Sequence, residues 1–320
     1  MFSDFLKSIL RSPLGNFFGY VGRPFLKNSL AIFLYHDVSD TPSEFSRMYD
    51  LNVPPRVFRF QMQFIKKYFN IVSPDDILRG HIPPRAALVT FDDGLRGYFQ
   101  NAVPILSEYK IPSIIFLNME PIQGGVFWSG LITYLCSKRP DFVTLLKRKS
   151  AYTLGKKPLY LYCAKSLVKE YLERQAETFK AEVEAFIGEF AREDDLCKVA
   201  RNPLIFFGNH LFNHEVPMLM SDEALVDSFS KNTFALKQYS CYRDWFSFPF
   251  GQPTTCFTDK QVVLIRQHGA QKICSAYPLV NFDAQSSYLH RIALNASHDS
   301  VAKIWFQIWS RTVRDIFTRS

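Results

Sequence analysis

The chain has 320 residues, of which 47% are apolar and 21% charged, a composition that fits one large globular domain or two ordinary ones and excludes a disordered chain. Its formal charge of +8 favours anionic partners, yet no Lys/Arg block or zinc-finger spacing accompanies it, which argues against nucleic acid. Six cysteines lie scattered without a CxxC pair, which argues against a structural zinc site and for free thiols in a reducing compartment.

Residues 1–29 carry no continuous apolar run and no small-residue cleavage site, so they do not read as a signal peptide, and they are too interrupted to span a bilayer. Phe2, Phe5, Leu6 and Ile9 recur at helical spacing with Lys7 and Arg11 among them. This predicts an N-terminal helical extension that either packs across the following domain or lies on an anionic membrane surface. LAIFLYHDV (30–38) then reads as a buried strand, VFRFQMQFIKKYF (57–69) as a helix, and FNIV as a short strand followed by a small helix after Ser73-Pro74. AALVTF (86–91) and IPSIIFLN (111–118) are further strands, with a helix around NAVPILSEYK between them. From 127 to 201 the texture becomes charged and helical, with Leu172, Phe179, Val183, Phe186, Ile187 and Phe190 forming a partial apolar face. This predicts a helical insertion at a strand end, where such additions shape substrate sites. Strand-like runs return at 203–209 and 245–250, with weaker ones at 272–280 and 288–294. The alternation predicts a parallel α/β domain over 30–320 that carries the insertion.

TFDDG (90–94) places two adjacent carboxylates, Asp92 and Asp93, just after a strand. Neighbouring strand residues point to opposite sides, so a bend at Gly94 is needed for both to approach one site. Bare carboxylates held together repel, and a cation relieves that. His210 and His214 follow another strand, four residues apart, a spacing that puts two imidazoles on one face of a helix. One carboxylate with two histidines leaves coordination positions open for a water and a carbonyl oxygen, and the second carboxylate is then available as a general base.

TFDDG resembles the first motif of the polysaccharide deacetylases, the NodB-homology carbohydrate esterases, and GNHLFNH (208–214) resembles their second. FSFPFG (246–251) is similar to their third motif, LYHDV to a recurrent opening strand, and YLHRIAL (288–294) to a late stretch of the same family. The resemblance implies a distorted (β/α)7 barrel that hydrolyses an N-acetyl group on a sugar with one divalent ion, usually zinc. Position by position, Asp92 resembles the catalytic base, and Asp93, His210 and His214 the metal ligands. The third motif here lacks the arginine that many members place beside the catalytic aspartate; Arg291 is the candidate replacement from another loop. His290 and His36 are candidates for the general acid. Trp128, Phe248 and Phe250 are candidate walls for a sugar ring, with core packing as the alternative.

These readings imply a metal-dependent N-deacetylase of an acetylated amino sugar in glycan biosynthesis. Without a secretion signal the expected setting is cytoplasmic, at or near the inner face of the membrane. A nucleotide-linked or lipid-diphosphate-linked substrate would match the positive charge. The alternatives are an O-acetyl esterase or non-sugar amide hydrolase on the same scaffold, and a glycan-binding protein without turnover.

Overall fold

The computed structural model of the chain describes residues 26–149, 165–173 and 178–318. The N-terminal helix expected within 1–29 therefore lies almost wholly outside the described residues. Ten strands are present among them: β1 Leu30–Tyr35, β2 Asp37–Val38, β3 Asn52–Val53, β4 Asn70–Ile71, β5 Ala86–Asp93, β6 Ser113–Leu117, β7 Ile205–Asn209, β8 Tyr242–Ser247, β9 Lys272–Cys274 and β10 Ile292–Ala293. The main sheet runs β10-β1-β5-β6-β7-β8-β9, with β4 paired to the start of β5, and its pairings are parallel. β2 and β3 form a separate parallel pair.

The sheet curls until its two edges meet through one stretch of chain. Leu289 bridges Cys274 at the β9 edge, and Ile292 of β10, three residues later, pairs with Phe33 of β1. The result is the distorted barrel that the motifs imply, with strands following one another around it in chain order.

Strand alternation sorts the side chains. Leu30 and Ile32 of β1 pack with Ala86 and Leu88 of β5, Ile114 and Phe116 of β6, Phe206, Trp245, Cys274 and Leu289, filling the barrel interior. Ala31, Phe33, Val89, Phe91, Ile115 and Phe207 face outward and are covered by helices. The helix Pro55–Tyr68 buries Phe58, Met62 and Ile65 on one stripe, and Lys66 and Lys67 end it where positive charge favours the helix dipole. The helix Val301–Thr318 adds Ile304, Trp305, Ile308 and Trp309 to the same layer. Helices Asp222–Leu236 and Asp259–Gln267 cover β7 to β9, each started by a hydroxyl cap, Ser221 and Thr258.

Between β6 and β7 stand the helices Trp128–Lys138, Pro140–Lys149, Lys165–Leu172, Thr178–Ile187 and Glu193–Val199. Glu193–Val199 sends Leu196 into the outer core of the barrel, while the first four bury their own apolar cluster, which includes Leu131, Leu135, Phe142, Phe179, Val183, Phe186 and Ile187. Phe45, from the helix Glu44–Met48, joins it from the barrel side. No described helix is long and apolar enough to cross a membrane. The described cysteines, Cys136, Cys197, Cys241, Cys256 and Cys274, are free thiols.

Candidate metal centre and its two carboxylates

The ends of β5, β7 and β8 meet at one rim. Register carries Asp93 across to Leu117 and Leu117 to Asn209, so His210 leaves β7 at the level of Asp93. On β5 the inward row runs Leu88, Thr90, Asp92, and Asp92 therefore points into the barrel. Asp93 would continue the outward row, but its φ of 74° turns the chain at that residue. Gly94 follows at φ 101°, where a Cβ would also meet the Leu117 and Ile122 side chains at 3.0 and 3.2 Å. The bend expected at Gly94 thus begins one residue earlier, at the carboxylate itself.

His210 and His214 do not share a helix. They sit on an irregular loop after β7 in which Leu211 (φ 62°) and His214 (φ 53°) are left-handed. The helical face suggested by their spacing is replaced by two turns that bring the rings to 4.9 Å. Buried amides hold this shape. Asn118 donates to the carbonyls of His210 and Leu211, and Asn209 accepts from the Leu211 N–H at 2.8 Å. Asn232 donates to Asn209 and to the Leu117 carbonyl, and the Ser228 hydroxyl accepts from Phe212 N–H. Left-handed backbone at three non-glycine residues of one rim, with Phe250 (φ 62°) a fourth, stores strain that this network has to offset.

Asp93 Oδ1 lies 3.5 Å from His210 Nε2 and 3.2 Å from His214 Nε2. One ligand atom from each of Asp93, His210 and His214 lies within 4.8 Å of the others, and all three residues are buried. Two observations fit this trio to a cation. Asp93 Oδ1 is buried without a hydrogen-bond partner among the described residues. His210 Nδ1 is 2.7 Å from the Ser247 carbonyl, which can only accept, so Nδ1 carries the proton and Nε2 presents its lone pair to the cluster. Burial pulls the His214 pKa down to about 3, against the pull of Asp93, so its imidazole is neutral and able to ligate. Burial also opposes ionisation of Asp93, but in acid, where the adjacent imidazoles are protonated, their charge outweighs it and holds the carboxyl below its ordinary range.

Asp92 is equally buried and differently partnered. Arg291 grips it with both arms, Nη1 to Oδ1 at 2.6 Å and Nη2 to Oδ2 at 2.7 Å. The guanidinium is itself fully buried, donates to the Ser275 carbonyl and the Ser247 hydroxyl, and lies over the Phe116 ring at 5.2 Å. Burial pushes the Asp92 carboxyl upward, and Arg291 followed by His210 brings it below its ordinary value. Arg291, the residue just before β10, is thus the buried guanidinium that stands against Asp92, where the third motif offers none. Each Asp92 oxygen still has acceptor capacity toward the rim, and Oδ2 stands 3.8 Å from His210 Nε2.

The other candidates divide. His36, half-buried after β1, is close enough for its charge to act on both Asp92 and Asp93. His290 is set apart from Arg291: Leu289 and Arg291 face the interior, while Tyr288 and Ile292 pack outside, and alternation puts His290 with the latter pair. There its Nδ1 meets Ser275 Oγ at 3.0 Å, between the rings of Tyr277 and Tyr288. Phe250 stands at the rim with its ring 4.8 Å from His214. Phe248 does not line the site. It has no accessible surface and stacks on Phe257 at 4.1 Å in the outer core, because β8 ends at Ser247 and alternation turns residue 248 outward. Trp128 is half-buried against the insertion's apolar cluster. Ser247 and Asn118 carry no sequence signal of their own, since their roles come from strand ends distant in the chain. Ser247, within FSFPFG, was legible only as part of that motif.

The family described as polysaccharide deacetylase matches residues 79–273. Among solved structures, the chain is similar to IcaB from Ammonifex degensii, at 17% identity and a TM-score of 0.59, covering 88% of this chain and 97% of that one. A de-N-acetylase from Aggregatibacter actinomycetemcomitans aligns at 17% identity and a TM-score of 0.55, covering 88% of this chain and 100% of that one. The Streptococcus pyogenes deacetylase PplD aligns at 17% identity and a TM-score of 0.52, covering 84% and 93%. At such identities these likenesses bear on the fold alone. No curated protein matches the chain.

Proposed function

This chain belongs to the polysaccharide deacetylase family, and on that premise we propose that it hydrolyses the N-acetyl group of an amino sugar in a glycan or glycan precursor. The observation that carries the reading is the pairing of a buried, cation-ready Asp93–His210–His214 cluster with a second carboxylate, Asp92, oriented beside it by Arg291. Asp93, His210 and His214 would hold one divalent ion, and nitrogen-rich ligation with open positions favours zinc. An ion held there would supply Lewis-acid polarisation of the acetyl carbonyl and would make a nearby water more acidic.

The protein's own groups do the rest. Arg291 fixes the Asp92 carboxylate in one plane and keeps it ionised, so that Asp92 accepts a proton from the attacking water. Ser247 ties both halves together: its carbonyl fixes the His210 tautomer, and its hydroxyl accepts from the arginine that holds Asp92. His36, whose charge reaches both carboxylates, is the group we assign to protonating the departing amine. Phe250 contributes an apolar wall at the mouth beside His214. The substrate class we favour is an acetylated amino sugar on an anionic carrier, nucleotide or lipid diphosphate, in keeping with the +8 charge.

Acetate release from a panel of N-acetylated and O-acetylated sugars, nucleotide sugars and oligosaccharides tests the reading. Acetate should come from N-acetyl substrates and cease when a chelator removes the metal. Release from O-acetyl esters alone would replace the amidase reading, and no release from any member would favour a binding protein.

A further inference from the structure

The helical insertion meets the metal centre at Phe127, and at residues 189–191 it meets the turn that follows Asp93. Phe127, the residue that starts it, is buried, with its ring 5.0 Å from His214. Phe190, near its close, packs on Phe127 at 4.8 Å and bridges Leu95 in antiparallel fashion. Around that bridge Arg96 N–H donates to the Glu189 carbonyl and Ala191 N–H to the Gly94 carbonyl, both at 2.9 Å. The turn that immediately follows the Asp93 carboxylate is therefore hydrogen-bonded to the insertion, and Arg96 adds ion pairs to Glu189 and Asp195.

The two histidines of the centre are held by different means. His210 is oriented by the hydrogen bond from Nδ1 to Ser247. His214 Nδ1 is buried with no hydrogen-bond partner among the described residues, so no such bond sets its ring. What stands against that ring is aromatic: Phe127 on the insertion and Phe250 from the loop after β8, with centroids at 5.0 and 4.8 Å. Since His214 also has a left-handed backbone, packing has to keep its Nε2 aimed at Asp93.

We infer that the neck of the insertion is part of the metal centre, with Phe127 a positioning residue that sets the ring of His214. The inference rests on the metal reading of the preceding subsection. It gives the insertion a task inside the barrel rim, distinct from any role of its outer helices in choosing substrate.

The test is a Co2+ titration of the chelator-treated full-length protein, followed by its visible absorption, with thermal unfolding of the metal-free form measured in parallel. Phe127→Ala should weaken Co2+ affinity about tenfold or more, in the range found when groups that orient a ligand are removed. Phe127→Tyr, which keeps the ring, should restore both affinity and spectrum. Phe142→Ala empties the same apolar cluster away from His214 and should lower the unfolding temperature while leaving affinity at the parent's value. Phe127→Leu keeps apolar volume without the flat ring and decides the matter if the alanine variant does not fold; its affinity should still fall. Parent-like affinity in a folded Phe127→Ala or Phe127→Leu protein would overturn the inference, as would equal weakening by Phe142→Ala. A parent that binds no Co2+ would instead overturn the metal reading itself.

Discussion

Asp92 and Asp93 are adjacent, identical in chemistry and equally buried, yet the two sides of the site treat them in opposite ways. On the arginine side each Asp92 oxygen is met by a guanidinium N–H, so the carboxylate has its counter-charge and a fixed orientation. On the histidine side Asp93 Oδ1 faces two imidazole nitrogens and is left without a donor. A third buried carboxylate, Asp37, serves as the reference: burial pushes its pKa up to about 6, with only the Val38 backbone working the other way. Burial alone therefore disfavours charge in this fold, and each site aspartate stays ionised because of a specific neighbour. The lesson is a difference in partners that matches the proposed division of labour, with Asp92 as proton acceptor and Asp93 as cation ligand.

Removing the proton acceptor should give the largest effect. Asp92→Asn is nearly isosteric and leaves Asp93, His210 and His214 untouched, so metal content should hold while acetate release falls by about a hundred- to ten-thousand-fold. Initial rates close to the parent's would remove Asp92 from the role of base.

Breaking the ion pair from the other side should fall next. Arg291→Met leaves Asp92 buried without its counter-charge, which costs about 3–5 kcal/mol in comparable pairs. In the parent, Asp92 is held below its ordinary value of 3.8, so its contribution is present above that pH and is lost as pH falls. In the variant burial acts on Asp92 without the guanidinium and pushes its carboxyl up, so the variant loses stability as pH rises above 3.8 while the parent's contribution stays constant, and the gap in urea midpoint between the two proteins should widen from pH 4 to pH 8. A constant gap would mean that Arg291 stabilises by packing and not by charge.

The reference carboxylate sharpens the comparison at smaller scale. A pKa raised from 3.8 to about 6 means that Asp37 favours the fold fully below 3.8 and loses that contribution as pH rises through 6. Asp37→Asn should therefore stabilise the protein above pH 6 by up to about 3 kcal/mol, since each tenfold change in proton affinity is worth about 1.4 kcal/mol, and the gain should vanish below pH 4. Both chains share the contribution of His214, so their difference in unfolding free energy isolates Asp37. Equal gain at every pH would show an effect of packing.

The smallest change is expected at the link between the two sides. Ser247→Ala removes the hydroxyl that accepts from Arg291 but keeps the carbonyl that accepts from His210. Stability should drop by about 1–3 kcal/mol, the cost of a buried donor left unpaired, with metal affinity unchanged. Weaker metal binding would show that the arginine and histidine sides are coupled through more than the backbone of Ser247.

Much of this was open to sequence reasoning because it is local. The strands at 30–35, 86–93 and 205–209 are short, continuous apolar runs, and a motif at the end of such a run lands on the barrel rim whatever the loops do. The helical texture of the insertion and its apolar face follow from spacing in the same way. Geometry that depends on where the chain turns was less legible. The interval between His210 and His214 suits a helix, but buried asparagines at the end of β7, just after β6 and on the helix Asp222–Leu236 hold left-handed turns there. Phe248 and Phe250 both follow the end of β8; Phe248 keeps the strand's alternation, whereas the left-handed backbone at Phe250 breaks it and brings that ring to His214. The helices Asp222–Leu236, Asp259–Gln267 and Val301–Thr318 carry mixed polar faces that compete poorly with the surrounding apolar strands for notice. Phe127 gave no signal at all, since its importance is its contact with a histidine 87 positions on.

The closing stretch from Leu289 to Ala293 joins both edges of the sheet and carries Arg291 between them. Its contact with Asp92 spans 199 positions of chain, among the last that a growing or refolding polypeptide can make, because the entropy of so long a loop must be overcome before the contact rewards it. Until that happens Asp92 is a buried carboxylate without its counter-charge, and the open barrel is penalised by it. The act of closure supplies the counter-charge, so Asp92 is oriented by the same event that completes the fold. On the proposed reading of Asp92 as the base, a chain whose closing stretch is out of place is an inactive one.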